Sequence, residues 1–493
     1  MSAQTIIGRA FEKQDLESAY HSKEAEFIAI YGRRRIGKTY LIRNFFQPKS
    51  CYYFHATGIY KGSLQEQLAR FSKELGDTFY GGASMAVPGH WMAAFDELSK
   101  SIQQLKNTKK IVLFFDELPW MCTPKSSLLN ALEYFWNRYW SNDTRIKLIV
   151  CGSSASWIVK KIIKNRGGLH NRTTRKIRLQ PFTLNETLLY LNHLNHKIEL
   201  SKIVKLYMVL GGIPFYLKHL KHNLSVDQNI NQLLFNPDSV LFNEFHEIFS
   251  SLFDTGEPYM EIIKLIANTQ DGLSRSILDT KNKLTGKGGR LTQRLEELES
   301  GGFISSYLPF GYKKKGIIYR LSDEYCYFYL KWIAPIKDKL KQSDRLSYWI
   351  NKTHSPDYYA WLGYSFENLC YKHLPMIRKT LQLGADSLAL PWRSISTSKK
   401  TEQALGQQGA QIDLLFDRQD DAITICEIKY TDKEYSINKA YADILRRKLE
   451  AFKQQTRTKK QLFLILISPY GVKKNNYSGE LLSGEIVLED LLT

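Results

Sequence analysis

The sequence predicts an α/β protein of several domains that opens on a parallel-sheet core, and three observations carry that prediction. Gly32-Arg33-Arg34-Arg35-Ile36-Gly37-Lys38-Thr39 fits the pattern G-x-x-x-x-G-K-[ST] and directly follows the apolar run 27–31. A second continuous apolar run, 111–115, ends in Asp116-Glu117, as a buried parallel strand with acids at its carboxyl end would. Late in the chain two short apolar strands flank a polar turn, one carrying Asp413 and the other Glu427 and Lys429, two residues apart.

At 493 residues the chain exceeds what one core supports, so roughly two to four domains are expected. Lysine and arginine outnumber aspartate and glutamate by 69 to 49, a net charge of +20. Charge of that size favours a polyanionic partner, nucleic acid before an anionic membrane. The six cysteines are scattered and form no C-x-x-C pair, which argues against a zinc site or a disulfide framework and fits a reducing compartment. No apolar run approaches the ~18 residues of a membrane span, and the N-terminus has no signal-peptide pattern. The expectation is a cytoplasmic protein without a stable membrane anchor.

A strand, a glycine-rich turn and a helix are what a phosphate-cradling loop requires, because the turn frees backbone N–H groups and the helix N-terminus faces the anion. The helix follows with Leu41, Ile42 and Phe45 on one side. ATP with Mg2+ is therefore expected over Gly32, Arg33, Arg34, Arg35, Ile36, Gly37, Lys38 and Thr39, with Lys38 bridging the β and γ phosphates and Thr39 ligating magnesium. Acids at the carboxyl end of the 111–115 strand face the same place, which makes Asp116 the magnesium carboxylate and Glu117 the base that orients attacking water. A third strand, 146–151, leads into Gly152-Ser153-Ser154 and puts Ser153 or Ser154 at the γ-phosphate. The basic loop 165–175 offers an arginine finger, with Arg175 a candidate, acting in its own subunit or on a neighbour in a homo-oligomer. Solvated surface arginines would read the same way. Leu210-Gly211-Gly212-Ile213-Pro214 breaks a helical pattern.

Together GRRRIGKT, FFDELPW, CGSS, the basic loop before RLQPFTLNE, and LGGIP resemble the prokaryotic AAA+/STAND-related P-loop ATPases usually called the archaeal ATPase family. The resemblance implies that an N-terminal Gly-Arg pair, here Gly8 and Arg9, and the Gly-x-Pro motif of a helical lid, here Gly212 and Pro214, border the nucleotide. The acid that often follows Gly-Arg is displaced by Ala10-Phe11-Glu12. On this reading residues 1–182 are the ATPase core and 183–254 the lid.

Residues 255–335 read as three helices and a hairpin. Met260, Ile263 and Ile266 repeat at helical spacing, Leu273-Ser274 opens a second helix, and Leu291, Leu295 and Leu298 mark a third that stops at Gly301-Gly302. Runs 303–307 and 317–321 alternate around a basic tip, Lys313-Lys314-Lys315. That order predicts a winged helix. Lys281, Lys283, Lys287, Arg290 and Arg294 lie on or before the third helix, where a recognition helix meets DNA. Glu296, Glu297 and Glu299 dilute that charge, and a module that only transmits nucleotide state between domains fits the same residues.

Residues 336–493 include a helix with Leu362, Phe366 and Leu369 on one face and Glu367 beside them. The strands 410–416 and 422–429 make a hairpin around the turn 417–421, which brings Asp413 beside Glu427 and Lys429. Two carboxylates and a lysine on one sheet face are costly unless something binds there. A divalent cation neutralises Asp413 and Glu427, and Lys429 orients water or stabilises developing charge on a phosphorane. The set resembles the PD-(D/E)XK nuclease superfamily, to which the C-terminal domain commonly fused to archaeal-type ATPases belongs. The resemblance implies a restriction-endonuclease-like α/β fold, makes Glu367 the helix-borne acid and puts Lys448, on a helix over 439–455, near the phosphate. The expectation is an ATPase whose nucleotide state gates Mg2+-dependent cleavage of nucleic acid, DNA first. The alternative is a signal-transducing switch whose C-terminal domain binds DNA or protein without cutting.

Overall fold

The computed structural model describes residues 5–164, 167–253, 255–269, 272–281, 288–312, 316–340, 348–394 and 410–492. The first sheet holds β1 (Glu26–Tyr31), β2 (Cys51–Thr57), β3 (Lys110–Asp116), β4 (Ile146–Gly152) and β5 (Arg175–Arg178) in the order β2-β3-β4-β1-β5. Every neighbouring pair is parallel. The unbroken apolar runs suit central strands because both faces are covered. Ile28, Ile30, Val112, Phe114 and Ile149 enter one hydrophobic cluster, while Phe27, Ala29, Leu113, Phe115, Leu148 and Val150 enter another. Parallel strands deliver their carboxyl ends to one edge, so the segments after Tyr31, Asp116 and Gly152 leave the sheet side by side.

Helices Leu184–His193, Leu200–Leu210, Pro214–Leu217, Val226–Leu234 and Glu244–Leu252 follow. Gly211, at φ 68°, ends the second of them in the left-handed conformation. Gly212 follows at φ 63°, and a Cβ there would lie 2.3 Å from the Phe182 carbonyl oxygen. The Phe182 N–H donates to the Gly212 carbonyl at 2.8 Å, so this double-glycine break is clamped to the segment leaving the first sheet.

Next, helices Glu257–Ala267, Arg275–Lys281 and Gly289–Ser300 pack on a small antiparallel sheet of β6 (Leu273–Ser274), β7 (Ile304–Tyr307) and β8 (Ile318–Leu321), ordered β6-β8-β7. Leu291, Leu295 and Leu298 are the buried stripe of the third helix. Its opposite side is docked: Lys160, from the first domain, pairs with Glu297 at 3.1 Å, and the Arg178 guanidinium donates to the Glu299 carbonyl. Lys283, Lys287 and the tip Lys313 to Lys315 lie outside the described residues.

The last sheet orders as β13-β12-β11-β10-β9, from β9 (Leu388–Arg393), β10 (Gln411–Asp417), β11 (Ala422–Ile428), β12 (Gln461–Ile467) and β13 (Gly484–Ile486). β9, β10 and β11 run antiparallel, whereas β11, β12 and β13 are parallel. A parallel pair needs a crossover, and the helix Lys439–Thr456 supplies it between β11 and β12. Lys429 falls one residue past the end of β11, yet its N–H still donates to Ile467 at 2.9 Å. A single hydrophobic cluster extends from Ile28 in the first sheet, through the helices, to Leu414, Ile428 and Ile465 in the last. The successive parts thus share apolar packing instead of meeting through polar linkers. Among the described residues no helix is long and apolar enough to cross a membrane.

Candidate functional site

The loop after β1 closes tightly. Gly32, at φ 149°, has no room for a side chain, since a Cβ would sit 2.2 Å from the Leu179 carbonyl oxygen. Gly37, at φ 92°, starts the helix Lys38–Phe46 from the left-handed region. The buried Lys38 ammonium folds back over the loop, donating to the carbonyls of Gly32 (3.0 Å) and Arg33 (2.8 Å) and to Ser153 Oγ (3.1 Å). Thr39 Oγ1 donates to Asp116 Oδ2 at 2.8 Å. That hydroxyl and carboxylate, in front of a helix N-terminus, fit a magnesium ion carried by a triphosphate. Burial opposes the charge of Asp116, but hydrogen bonds from His55 and Thr39 outweigh it and hold the carboxyl below the usual range.

Glu117 adopts a left-handed backbone, φ 47°, an uncommon conformation for a residue with a side chain. It turns the carboxylate onto Ser153, whose N–H donates to Oε2 at 2.9 Å and whose hydroxyl donates to Oε1. Lys38, Ser153 and Glu117 therefore form one chain of hydrogen bonds across the ends of three strands, buried at Lys38 and Ser153 and half-buried at Glu117.

The three loop arginines separate. Arg33 is buried and its guanidinium pairs with Asp323, just past β8, and donates to the Tyr216 hydroxyl at 3.3 Å. Arg35 pairs with Glu244 and, at 3.3 Å, with Glu247, and lies 4.3 Å over the Phe215 ring. Arg34 is half-buried. The side chains of Arg33 and Arg35 thus point to the helical segments and not to the phosphate cradle, to which only the backbone of these residues is turned. Arg9 braces the loop from behind, donating to the Gln180 carbonyl at 2.7 Å and the Ile36 carbonyl at 3.2 Å. Pro214 opens a short helix one residue before the Phe215 ring that carries Arg35. Arg175 is elsewhere. It faces Ile28 at the start of β5, so parallel pairing puts it toward the opposite edge of the sheet from the loop, where Asp15 and Glu26 hold it. The structure does not place it as a finger on this chain's own nucleotide.

A second polar cluster lies at the last sheet. Leu414 is in register with Cys426, so one step further Asp413 comes beside Glu427. Asp413 Oδ2 accepts the Ile428 N–H at 3.2 Å. The buried Glu427 carboxylate accepts from Lys429 (3.0 Å), from Lys448 (2.8 and 2.9 Å) and from the Tyr441 hydroxyl (2.7 Å). Glu367 enters from the helix Pro356–Lys372, its carboxylate 3.9 Å from the Arg320 guanidinium. Burial pushes Glu367 up to about 7, with the charge of Asp413 adding to it, and burial beside Glu427 pushes Asp413 up to about 6. Burial opposes the Glu427 charge too, but Lys429 and Lys448 win and hold that carboxyl below its usual range.

Among the described residues no three His, Cys, Asp or Glu side chains form a ready ligand set. Asp413 and Glu427 remain a two-carboxylate set, which suits a hard cation that keeps several of its waters. Lys448 meets Glu427 instead of standing free for phosphate, and Tyr441, which sequence reasoning missed, meets it too. Their spacing of seven residues, two turns of one helix face, was the available signal. Asp323, Glu244 and Arg320 gave no local signal, because their partners are far away in the chain.

The parallel sheet with a phosphate loop at the carboxyl ends of β1, β3 and β4 defines a P-loop NTPase domain. Residues 7–220 match a family described as an ATPase domain predominantly from Archaea, and this part of the chain is an ATPase domain. The chain is 25% identical over 446 residues to the uncharacterized protein MJECL04 of Methanocaldococcus jannaschii, covering 90% of this chain and 91% of that one. It is 41% identical over 44 residues to the uncharacterized ATP-binding protein MJ0423 of the same organism, 9% of this chain and 75% of the relative. Similar solved structures include the Walker-type ATPase PABY2304 of Pyrococcus abyssi (18% identity, 66% of this chain and 96% of that one, TM-score 0.45). The ORC2 protein of Aeropyrum pernix with ADPNP and ADP is another (14%, 69% and 96%, TM-score 0.47).

Proposed function

We propose that ATP bound at the phosphate loop gates a metal-dependent phosphodiesterase acting on nucleic acid, DNA first, at the C-terminal acid cluster. In this reading residues 1–182 are the ATPase core, 183–254 its lid, 255–335 a winged helix and 336–493 a restriction-endonuclease-like domain. The observation that carries the reading is the convergence of Glu367, Asp413, Glu427 and Lys429 from a helix and two strands onto one patch, with Glu427 buried and the other three half-buried. Buried acids whose charges oppose one another are retained where something cationic binds.

At the loop, Thr39 and Asp116 would hold magnesium, which supplies neutralisation of phosphate charge. Lys38 leaves the loop carbonyls for the phosphates, and the Ser153 hydroxyl, freed of the ammonium, turns away from Glu117. Glu117 Oε1 then becomes available to orient water while the Ser153 N–H still holds Oε2. At the acid cluster Asp413 and Glu427 would hold a cation, which supplies charge to a phosphodiester oxygen. Lys429, released from Glu427, orients water, and Lys448 is left to pair with phosphate.

The test uses the full chain with Mg2+, ATP and both single- and double-stranded DNA and RNA. Cleavage that disappears in Glu427→Ala while ATP binding stays supports the reading, and Lys38→Ala should abolish ATP binding and with it the control of cleavage. A wild type that cuts nothing under any nucleotide overturns it. One observation favours the second reading, a switch that binds without cutting: Glu427 is already saturated by two ammonium groups and a hydroxyl.

A further inference from the structure

Arg320 belongs to β8, in the small three-stranded sheet, yet its guanidinium reaches the acid cluster. It is 7% exposed, lies 4.6 Å over the Tyr371 ring and 5.3 Å over the Tyr364 ring, and is 3.9 Å from Glu367 Oε2. Among the described residues its Nε and Nη2 have no hydrogen-bond partner. A buried cation so sparsely satisfied destabilises the fold relative to an apolar residue of the same size, so its placement calls for a reason other than packing.

Three residues further on, Asp323 pairs with Arg33 of the phosphate loop, both side chains being within 3% of full burial. The turn between them is fixed, because the N–H groups of Ser322 and Asp323 both donate to the Phe303 carbonyl, at 3.0 and 3.2 Å. The Phe303 ring in turn lies 5.3 Å from the Arg33 guanidinium. Glu324 then accepts from Lys372 at 2.6 Å, on the same helix that carries Glu367. Residues 320–324 thus touch the phosphate loop through one side chain and the Glu367 helix through two.

We propose that Arg320 is a positioning residue for Glu367, and that the Asp323–Arg33 pair makes its position depend on what occupies the phosphate loop. The Arg320 part rests on the nuclease reading above; the Asp323 part does not. When phosphate enters the loop, the backbone of Arg33 responds because Lys38 must release its carbonyl. The buried pair transmits that displacement to the fixed turn, and the turn carries Arg320 and Glu324 with it. The coupling runs through tightly packed groups with discrete arrangements, the physical requirement for one site to bias another. By reciprocity the acid cluster then biases nucleotide affinity by the same factor.

Two measurements decide it. Amide hydrogen exchange of the helix Pro356–Lys372 is followed in the full chain with and without a non-hydrolysable ATP analogue and Mg2+. Asn at 323 keeps the shape and the hydrogen bond to the Cys326 N–H that Asp323 accepts, but not the charge. The expected result is a severalfold change of exchange rate in the wild type, reduced to less than a third of that in Asp323→Asn, with analogue affinity within threefold. A response that is absent in the wild type, or intact in Asp323→Asn, overturns the coupling. In the second measurement, cleavage by Arg320→Leu should lose at least tenfold in kcat with KM unchanged, and Arg320→Lys should recover a third or more. Equal loss in both variants, or a change in KM alone, overturns the positioning role. A wild type that cleaves nothing removes the nuclease reading and the Arg320 role together, and leaves the exchange result to decide the Asp323 tie on its own.

Discussion

The acid cluster should make the metal-free protein lose stability as pH rises. Glu367 has an ordinary value of 4.5 and is pushed up to about 7 in the fold by burial and by Asp413. Between those values the native carboxyl keeps a proton that the unfolded chain has lost, so unfolding releases a proton and alkali favours it. The stabilising contribution is complete below pH 4.5 and is gone once pH has passed about 7. The gap is worth about 3 kcal/mol at 1.36 kcal/mol per pH unit, and the 26% of the side chain still open to solvent trims it to about 2–3 kcal/mol. Other groups titrate in the same window. His373 is pushed down to about 4 by burial and acts in the opposite sense, so the quantity to read is a difference. Urea unfolding of wild type and Glu367→Gln at intervals from pH 5 to 8, without divalent metal, isolates it. The wild type should lose stability relative to the variant over this range, and Mg2+ should reverse the loss at pH 8 if a cation binds between Asp413 and Glu427. A difference that stays flat, or grows with pH, would refute the buried-acid account.

Other outcomes follow from single contacts. Asp323→Leu and Arg33→Met, both within the buried pair, should each cost about 3–5 kcal/mol, whereas the double variant should be near neutral, because only the singles leave a buried charge alone; additive losses in a double-mutant cycle would contradict the pair. Gly32→Ala puts a methyl 2.2 Å from the Leu179 carbonyl, so thermal unfolding should show a loss of about 1–3 kcal/mol together with weakened nucleotide binding. Arg175→Met removes the pairs to Asp15 and Glu26 and the hydrogen bond to the Ser18 hydroxyl, and ATP turnover should stay within threefold of wild type; a hundredfold loss would restore a finger role for it, exerted on a neighbouring subunit.

How much was legible in the sequence depends on the distance between partners. The loop from Gly32 to Thr39, the strand ending in Asp116 and the helix break at Gly211-Gly212 are set by residues adjacent in the chain, so their types and spacing announce them. The pairing of Asp413 with Glu427 was within reach as well, because a hairpin with a short turn has few registers. Arg175 misled because basic composition does not reveal which end of a strand a residue occupies; once β5 pairs parallel to β1, it stands away from the loop. Lys448 reads in the sequence as a phosphate ligand, and that the crossover helix lays it on Glu427 is seen only in the fold.

The sequence by itself determined the local chemistry: a phosphate loop, acids at strand ends, and an acid–lysine set on a hairpin. Only the tertiary structure decided what the loop's arginines are for. Arg33 and Asp323 are 290 residues apart, and no periodicity links positions at that separation. Their contact exists because one apolar cluster folds the parts of the chain onto a common core, which desolvates both charges and leaves each with the other as its nearest compensation.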